Sequence, residues 1–160
     1  MAQIKKTNVM RILDSFKVDY KMHTYLHTDA ISGTEVAKAL NEDPNMVFKT
    51  LVTISSHTKE HYVFVIPVEK ELDLKKAAKA VNEKSIELIK QKELLPLTGY
   101  IHGGCSPIGM KKFFTTVIDE TSSNYETIIF SGGKVGYQVE LSIDNLSKVI
   151  EFKLADITTK

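Results

Sequence analysis

Apolar residues along the chain recur with two periods. Val9, Ile12, Leu13 and Phe16 stand at i, i+3, i+4 and i+7, which places them on one face of a helix, with Thr7 as its cap. Ser32 and Glu35 have the S-x-x-E spacing of a capping box and open a second helix through Val36, Ala37 and Leu40. Asp43-Pro44 reads as a further cap followed by proline at the first helical position. Asp73 caps a helix carrying Leu74, Ala77, Ala78 and Val81, and shorter helices are predicted at 90–95 and 143–150. Between these lie runs with the strand period or rich in β-branched and aromatic residues, at 20–25, 47–55, 61–68, 85–89, 113–119, 127–131 and 137–142. Residues 56–60 form a polar hairpin loop, and 100–104 is extended before a glycine pair. Strands outnumber helices and arrive in hairpin-like runs. The pattern predicts an α+β domain with a mixed, largely antiparallel sheet.

Length and composition narrow this further. The chain has 160 residues, the size of one ordinary domain, with no internal repeat and no linker rich in Gly, Ser or Pro, so one domain over 1–160 is expected. Hydrophobic residues make up 42% and charged residues 26%, a composition that builds a packed core rather than a disordered chain. Lys+Arg number 21 against 20 Asp+Glu, a net charge of +1, which excludes a basic field over the whole surface. A local basic face remains open, and Lys75, Lys76 and Lys79 share one helix, either as a solvated face or as a contact to RNA backbone. The lone cysteine, Cys105, allows no internal disulfide and fits a reducing, cytoplasmic setting. The five histidines never join a cluster with zinc-ligand spacing, so no metal is expected. No apolar run reaches the roughly 18 residues of a membrane span, and none of signal-peptide length follows Lys5 and Lys6.

Candidate chemistry gathers at three places. The first is His102-Gly103-Gly104-Cys105-Ser106-Pro107-Ile108-Gly109-Met110-Lys111-Lys112. Adjacent glycines let backbone amides approach a ligand without a Cβ in the way, and exposed amides can hold a carbonyl or an oxyanion. The same residues also suit a plain turn. Cys105 and His102 invite a Cys–His nucleophile, but a free cysteine packs readily as a small buried hydrophobe. The second place is Lys49, which alternation puts on the strand face shared with Val47 and Leu51, opposite Phe48 and Thr50. A lysine among aliphatics either lines a pocket and meets a phosphate or carbonyl, or snorkels at a sheet margin. The third is Ser131-Gly132-Gly133-Lys134-Val135-Gly136, whose three glycines exceed what a two-residue hairpin needs. No Ser-His-Asp set, Walker motif or dinucleotide fingerprint is present, so no cofactor is implied.

Taken in order, several pieces resemble the YbaK/EbsC family of aminoacyl-tRNA editing domains, and within it the cysteinyl-tRNA(Pro) deacylase branch. They are His23-Thr24-Tyr25, Phe48-Lys49-Thr50-Leu51, Leu74-Lys75-Lys76-Ala77-Ala78-Lys79, Thr98-Gly99-Tyr100, the loop from Gly103 to Lys112, and Ser131 to Gly136. The resemblance spans nearly the whole chain and implies a barrel-like sheet with flanking helices. It implies an enzyme that removes cysteine from tRNA(Pro), or a deacylase for another small amino acid such as alanine, or a binding module without catalysis. Mischarged tRNA and prolyl-tRNA synthetase are the implied partners. The family mechanism uses the substrate's own thiol, which accounts for the missing nucleophile. On this likeness Lys49, Gly103 and Tyr25 are the catalytic candidates. Gly104, Ser106, Pro107, Gly109, Ser131, Gly132, Gly133 and Lys134 are the substrate-binding candidates. Three positions depart from the family pattern. Cys105 fills a slot where relatives usually carry an aliphatic residue, Val135 replaces a basic residue, and Gln138 stands where some relatives carry an acid.

Overall fold

A computed structural model describes residues 6–30 and 32–159, and the N-terminal reading around Lys5 lies outside them. Among the described residues, eight strands form two sheets. The larger has the order β4 (Ile86–Leu88), β2 (Phe48–Ser55), β3 (His61–Pro67), β5 (Thr115–Asp119) and β8 (Lys153–Ala155). Its β2–β3 and β2–β4 pairs are antiparallel, whereas β3–β5 and β5–β8 are parallel. The smaller sheet is an antiparallel set of β1 (Lys21–Thr24), β7 (Tyr137–Leu141) and β6 (Ile128–Ser131). The barrel-like arrangement takes the form of these two sheets joined at one corner. There Ile129 N–H donates to the Met46 carbonyl at 2.9 Å and Val47 bridges Ile129 in parallel.

The helices form where caps and apolar spacing agree. Helix α1 (Asn8–Ser15) is capped by Thr7, whose hydroxyl accepts from Met10 N–H. It buries Val9, Met10 and Leu13, while Phe16 falls beyond the last turn and is half exposed. The i+7 spacing predicts Phe16 on the buried face. The helix instead stops at Ser15, and Lys17 turns left-handed at φ 56°. Helix α2 (Gly33–Ala39) has both bonds of its capping box, Glu35 N–H to Ser32 Oγ at 3.2 Å and Ser32 N–H to Glu35 Oε1 at 3.1 Å. Helix α3 (Leu74–Ala80) is capped by Asp73, which accepts from the N–H groups of Lys75 and Lys76. Helix α4 (Gln91–Thr98) runs through Pro96, beyond the predicted end, and closes on Gly99 in the left-handed region. Helix α5 (Ile143–Ser147) is capped by Ser142.

Two expectations fail locally. Asp43-Pro44 opens a turn rather than a helix: Asp43 accepts from Asn45 N–H, and Met46 N–H returns to the Asp43 carbonyl. Residues 100–104 turn rather than extend, with Gly104 N–H donating to the Ile101 carbonyl at 3.0 Å. The edge strand β8 was not foreseen, because its three residues carry no readable period.

The main core fills the space between the sheets. Phe48, Val52, Val63, Val65 and Ile118 of the larger sheet meet Ile128, Phe130, Val139 and Leu141 of the smaller, with Val9, Met10 and Leu13 of α1. On the far face, Phe64, Ile66 and Val117 pack against Ala77 and Ala78 of α3. Lys76 of that helix pairs with Asp156 at 3.0 Å and donates to the Thr158 carbonyl at 2.9 Å, so it tethers the helix to the C-terminal segment. A third cluster, Ala37, Val47, Val68 and Ile129, fastens α2 over the corner where the sheets join.

Candidate functional site

That corner creates a cavity of about 310 Å³. The Val47–Ile129 bridge sets the start of β2 beside β6, so Lys49 and Thr50 share the space with Ser131 and, across the smaller sheet, Gln138. Helix α2 closes one side with Ser32, Gly33, Thr34 and Val36. Its approach is close: a Cβ on Gly33 would lie 2.4 Å from Val68 Cγ1. The loop after α4 brings His102, Gly103 and Cys105 to the opposite side. Tyr25 follows β1, its N–H bonded to the Gly136 carbonyl at 2.9 Å, and is almost wholly buried in the wall.

Lys49 lies in β2 opposite Ile66 of β3 and shares its strand face with Leu51, which packs against the α3 cluster, and both residues reach the cavity lining. Burial lowers the proton affinity of its ammonium, and Glu71 partly offsets this. No hydrogen bond or ion pair engages that ammonium among the described residues. Gly103 has φ 88°, the left-handed region that favours glycine. Cys105 is buried, and burial pushes its thiol up to about 12, so at neutral pH it stays protonated and inert. His102 lines the cavity, but no hydrogen bond links it to a hydroxyl among the described residues.

The structure brings together Tyr25, Lys49, Gly103 and Ser131 around this one cavity. It places Gly104, Ser106, Pro107, Gly109, Gly132, Gly133 and Lys134 outside the lining. Most of these shape the two loops. A Cβ on Gly104 would meet Val135 N at 3.1 Å, so that glycine lets the loops touch. Ser106 is fully buried and its hydroxyl accepts from Ile108 N–H at 3.3 Å, with Pro107 buried beside it. Gly109, at φ 80°, faces the Tyr100 hydroxyl, which donates to the Ile108 carbonyl. Gly133, at φ 96°, packs on Val9, while Gly132 packs on Tyr137 and Lys134 is exposed.

Sequence reasoning did not select Thr50, the first turn of α2, or Glu42. Thr50 follows the lysine directly, but whether its hydroxyl faces a cavity depends on the sheet corner. Glu42 is half-buried after α2. Burial raises its proton affinity, and the adjacent Gln138 side chain lowers it in part, yet neither Glu42 oxygen reaches hydrogen-bonding geometry with a neighbour. Beside them Glu140 is held by His23 at 2.7 Å and by the Thr127 hydroxyl.

Comparison with known proteins shows the family and the fold. The profile of the aminoacyl-tRNA editing domain matches residues 27–149. An Enterococcus faecalis protein, EbsC, provisionally named a Cys-tRNA(Pro)/Cys-tRNA(Cys) deacylase, is 45% identical over 98% of this chain and 95% of its own. Among solved structures, one described provisionally as a trans-editing enzyme for prolyl tRNA synthetase superposes with a TM-score of 0.82 at 21% identity, covering 98% of this chain and all of its own. A hypothetical protein, APE2540, superposes at 0.85 with 20% identity, covering 94% of this chain and 99% of its own. At such identities the two structures speak for the fold, while the profile and the 45% identical relative speak for descent. The chain belongs to the aminoacyl-tRNA editing domain family.

Proposed function

We propose that this protein is a trans-editing deacylase that clears cysteine from Cys-tRNA(Pro). The observation that carries the reading is a cavity with a left-handed glycine and a half-buried lysine whose ammonium has no hydrogen bond or ion pair among the described residues, which also offer no activated nucleophile there. Its one thiol is held protonated by burial. An ester bound there can be cut by a nucleophile that the ligand brings, and cysteine brings a thiol. The likeness to EbsC supports the same substrate.

In the reaction, the cysteinyl sulfur attacks its own ester carbonyl carbon as a thiolate. A C–S bond forms and the carbonyl oxygen becomes an oxyanion. The tetrahedral centre then collapses, the bond from carbon to the ribose oxygen breaks, and that oxygen takes a proton. The products are a cyclic thiolactone and free tRNA. The protein's task is to fold the substrate into attack geometry and to stabilise the oxyanion. The Gly103 backbone lies against the reacting group because no Cβ blocks it. Lys49 holds the terminal adenosine or its phosphate and orients the ester. Its partial desolvation strengthens that contact relative to water. Tyr25 and Ser131 form facing walls. Substrates without a thiol, such as seryl or prolyl esters, lack the attacking group. A net charge of +1 leaves little basic surface, so docking on prolyl-tRNA synthetase is the proposed source of tRNA selection.

A panel of tRNA(Pro) charged with cysteine, serine, alanine or proline tests the reading. Cys-tRNA(Pro) is expected to be cleared far faster than the others. Preference for the alanyl ester would reassign the substrate, and binding without turnover of any would make this a non-catalytic module.

A further inference from the structure

Four buried oxygen atoms in the cavity lining or next to it have no hydrogen-bond partner among the described residues: Thr50 Oγ1, Gln138 Oε1 and both carboxylate oxygens of Glu42. Buried polar groups are nearly always paired, and leaving one unpaired is unfavourable. Gln138 and Thr50 line the cavity, and Glu42 stands beside Gln138. Gln138 itself is only 4% exposed. It sits on β7 in register with His23 and Ser131. The neighbouring acid, Glu140, is already served by His23 and Thr127, so it does not share the deficit. Nor does the cavity's lysine relieve it: the carboxylate that acts on Lys49 is Glu71. The cavity therefore has a cationic part at Lys49 and an acceptor-rich part at Gln138 and Thr50 with a carboxylate behind.

We propose that Gln138 and Thr50 seat the primary α-ammonium of the aminoacyl group, with Glu42 as the positioning residue behind Gln138. An ammonium carries three N–H donors and a positive charge. It supplies donors to two side-chain oxygens while sitting in the field of the carboxylate. The seat discriminates by amine type. An N-acylated ester, as in peptidyl-tRNA, has no charge there, and a secondary ammonium such as proline's has one donor fewer. The same seat fixes the α-carbon and so helps aim the thiol at the carbonyl.

This inference rests on the proposed deacylase reading, and the test separates the two. Turnover of L-cysteinyl-tRNA is compared with that of 3-mercaptopropionyl-tRNA, which keeps thiol and ester but lacks the amine. Wild-type protein is expected to lose about 10- to 100-fold in kcat/KM without the amine, as for a hydrogen bond to a charged group. Gln138→Leu is expected to lose a similar factor on the cysteinyl ester and little on the desamino ester. Gln138→Glu, which keeps an acceptor, is expected to retain the discrimination. Equal loss by Gln138→Leu on both substrates, or equal wild-type rates on both, overturns the seat. If Gln138→Leu does not melt cooperatively, Thr50→Val and Glu42→Gln are read the same way, each narrowing the ratio. If wild-type protein turns over neither ester, the deacylase reading fails. The Kd ratio of 3′-cysteinylamido- to 3′-mercaptopropionylamido-deoxyadenosine then decides the seat alone, with a ratio near one refuting it.

Discussion

Replacing Lys49 with methionine separates function from stability. Methionine keeps an unbranched apolar stem of similar reach and removes the charge. In the folded protein, burial lowers the proton affinity of Lys49, with Glu71 opposing. A lysine whose folded pKa lies below its unfolded value binds its proton less tightly when folded. At neutral pH its charge therefore works against folding. No described residue repays this with a hydrogen bond or ion pair. Lys49→Met is thus expected to keep or raise the melting temperature at pH 7. Activity is expected to move the opposite way. One charge-assisted contact to a phosphate or carbonyl oxygen is worth about 1.5–3 kcal/mol, or about 10- to 150-fold in kcat/KM. The assay follows release of labelled cysteine from Cys-tRNA(Pro), beside a thermal melt of the same preparation. Activity within about threefold of wild type would refute the role of Lys49. A drop in melting temperature matching the loss of activity would mark the lysine as structural instead.

The pH profile follows from the same groups. The rate is expected to rise as the substrate thiol ionises near about 8.5 and to fall as Lys49 loses its proton, below the ~10.4 of an ordinary lysine. The falling limb should vanish in Lys49→Met, and the rising limb should survive Cys105→Ala because that thiol stays protonated up to about 12. The two glycine loops should respond differently to alanine. Gly103→Ala puts a methyl at the cavity and is expected to lose activity. Gly133→Ala brings Cβ to 2.8 Å from Val9 Cγ2 at φ 96° and is expected to lose about 2–4 kcal/mol of stability, read by urea unfolding. Acid should unfold the protein partly through Glu83, whose carboxylate is held below its usual range by bonds from Tyr62, Ser55 and Thr58. Such a group stabilises above its unfolded value and loses that contribution as pH falls through the lower folded one. Glu83→Gln should therefore flatten the decline of melting temperature between about pH 5 and pH 3.

Reading the chain alone reached most elements because their causes are local. The capping box at Ser32 and Glu35, the Asp73 cap and the β-branched runs of β2 and β3 each act within a few residues. It failed where a long-range contact outweighed local preference. The proline in α4 is tolerated inside the helix, and β8 exists because β5 offers it an edge. Lys49 and Gly103 could be named as chemical candidates from residue type and from the family likeness.

What residue order determined was the set of elements, the oddity of a lysine in an apolar strand, and the flexible glycine pairs. What tertiary structure alone decided was their meeting. A parallel bridge between Val47 and Ile129, 82 positions apart in the chain, turns the start of β2 toward Ser131 and Gln138. Packing of Gly104 on the Lys134–Val135 backbone joins two loops that sequence could offer only as separate turns. The physical reason is that caps and periodicity are energies of neighbouring residues, while a cavity is a property of distant surfaces. The oxygens of Thr50 and Gln138 in its lining, and of Glu42 beside it, which find no partner among the described residues, become visible only once those surfaces have closed.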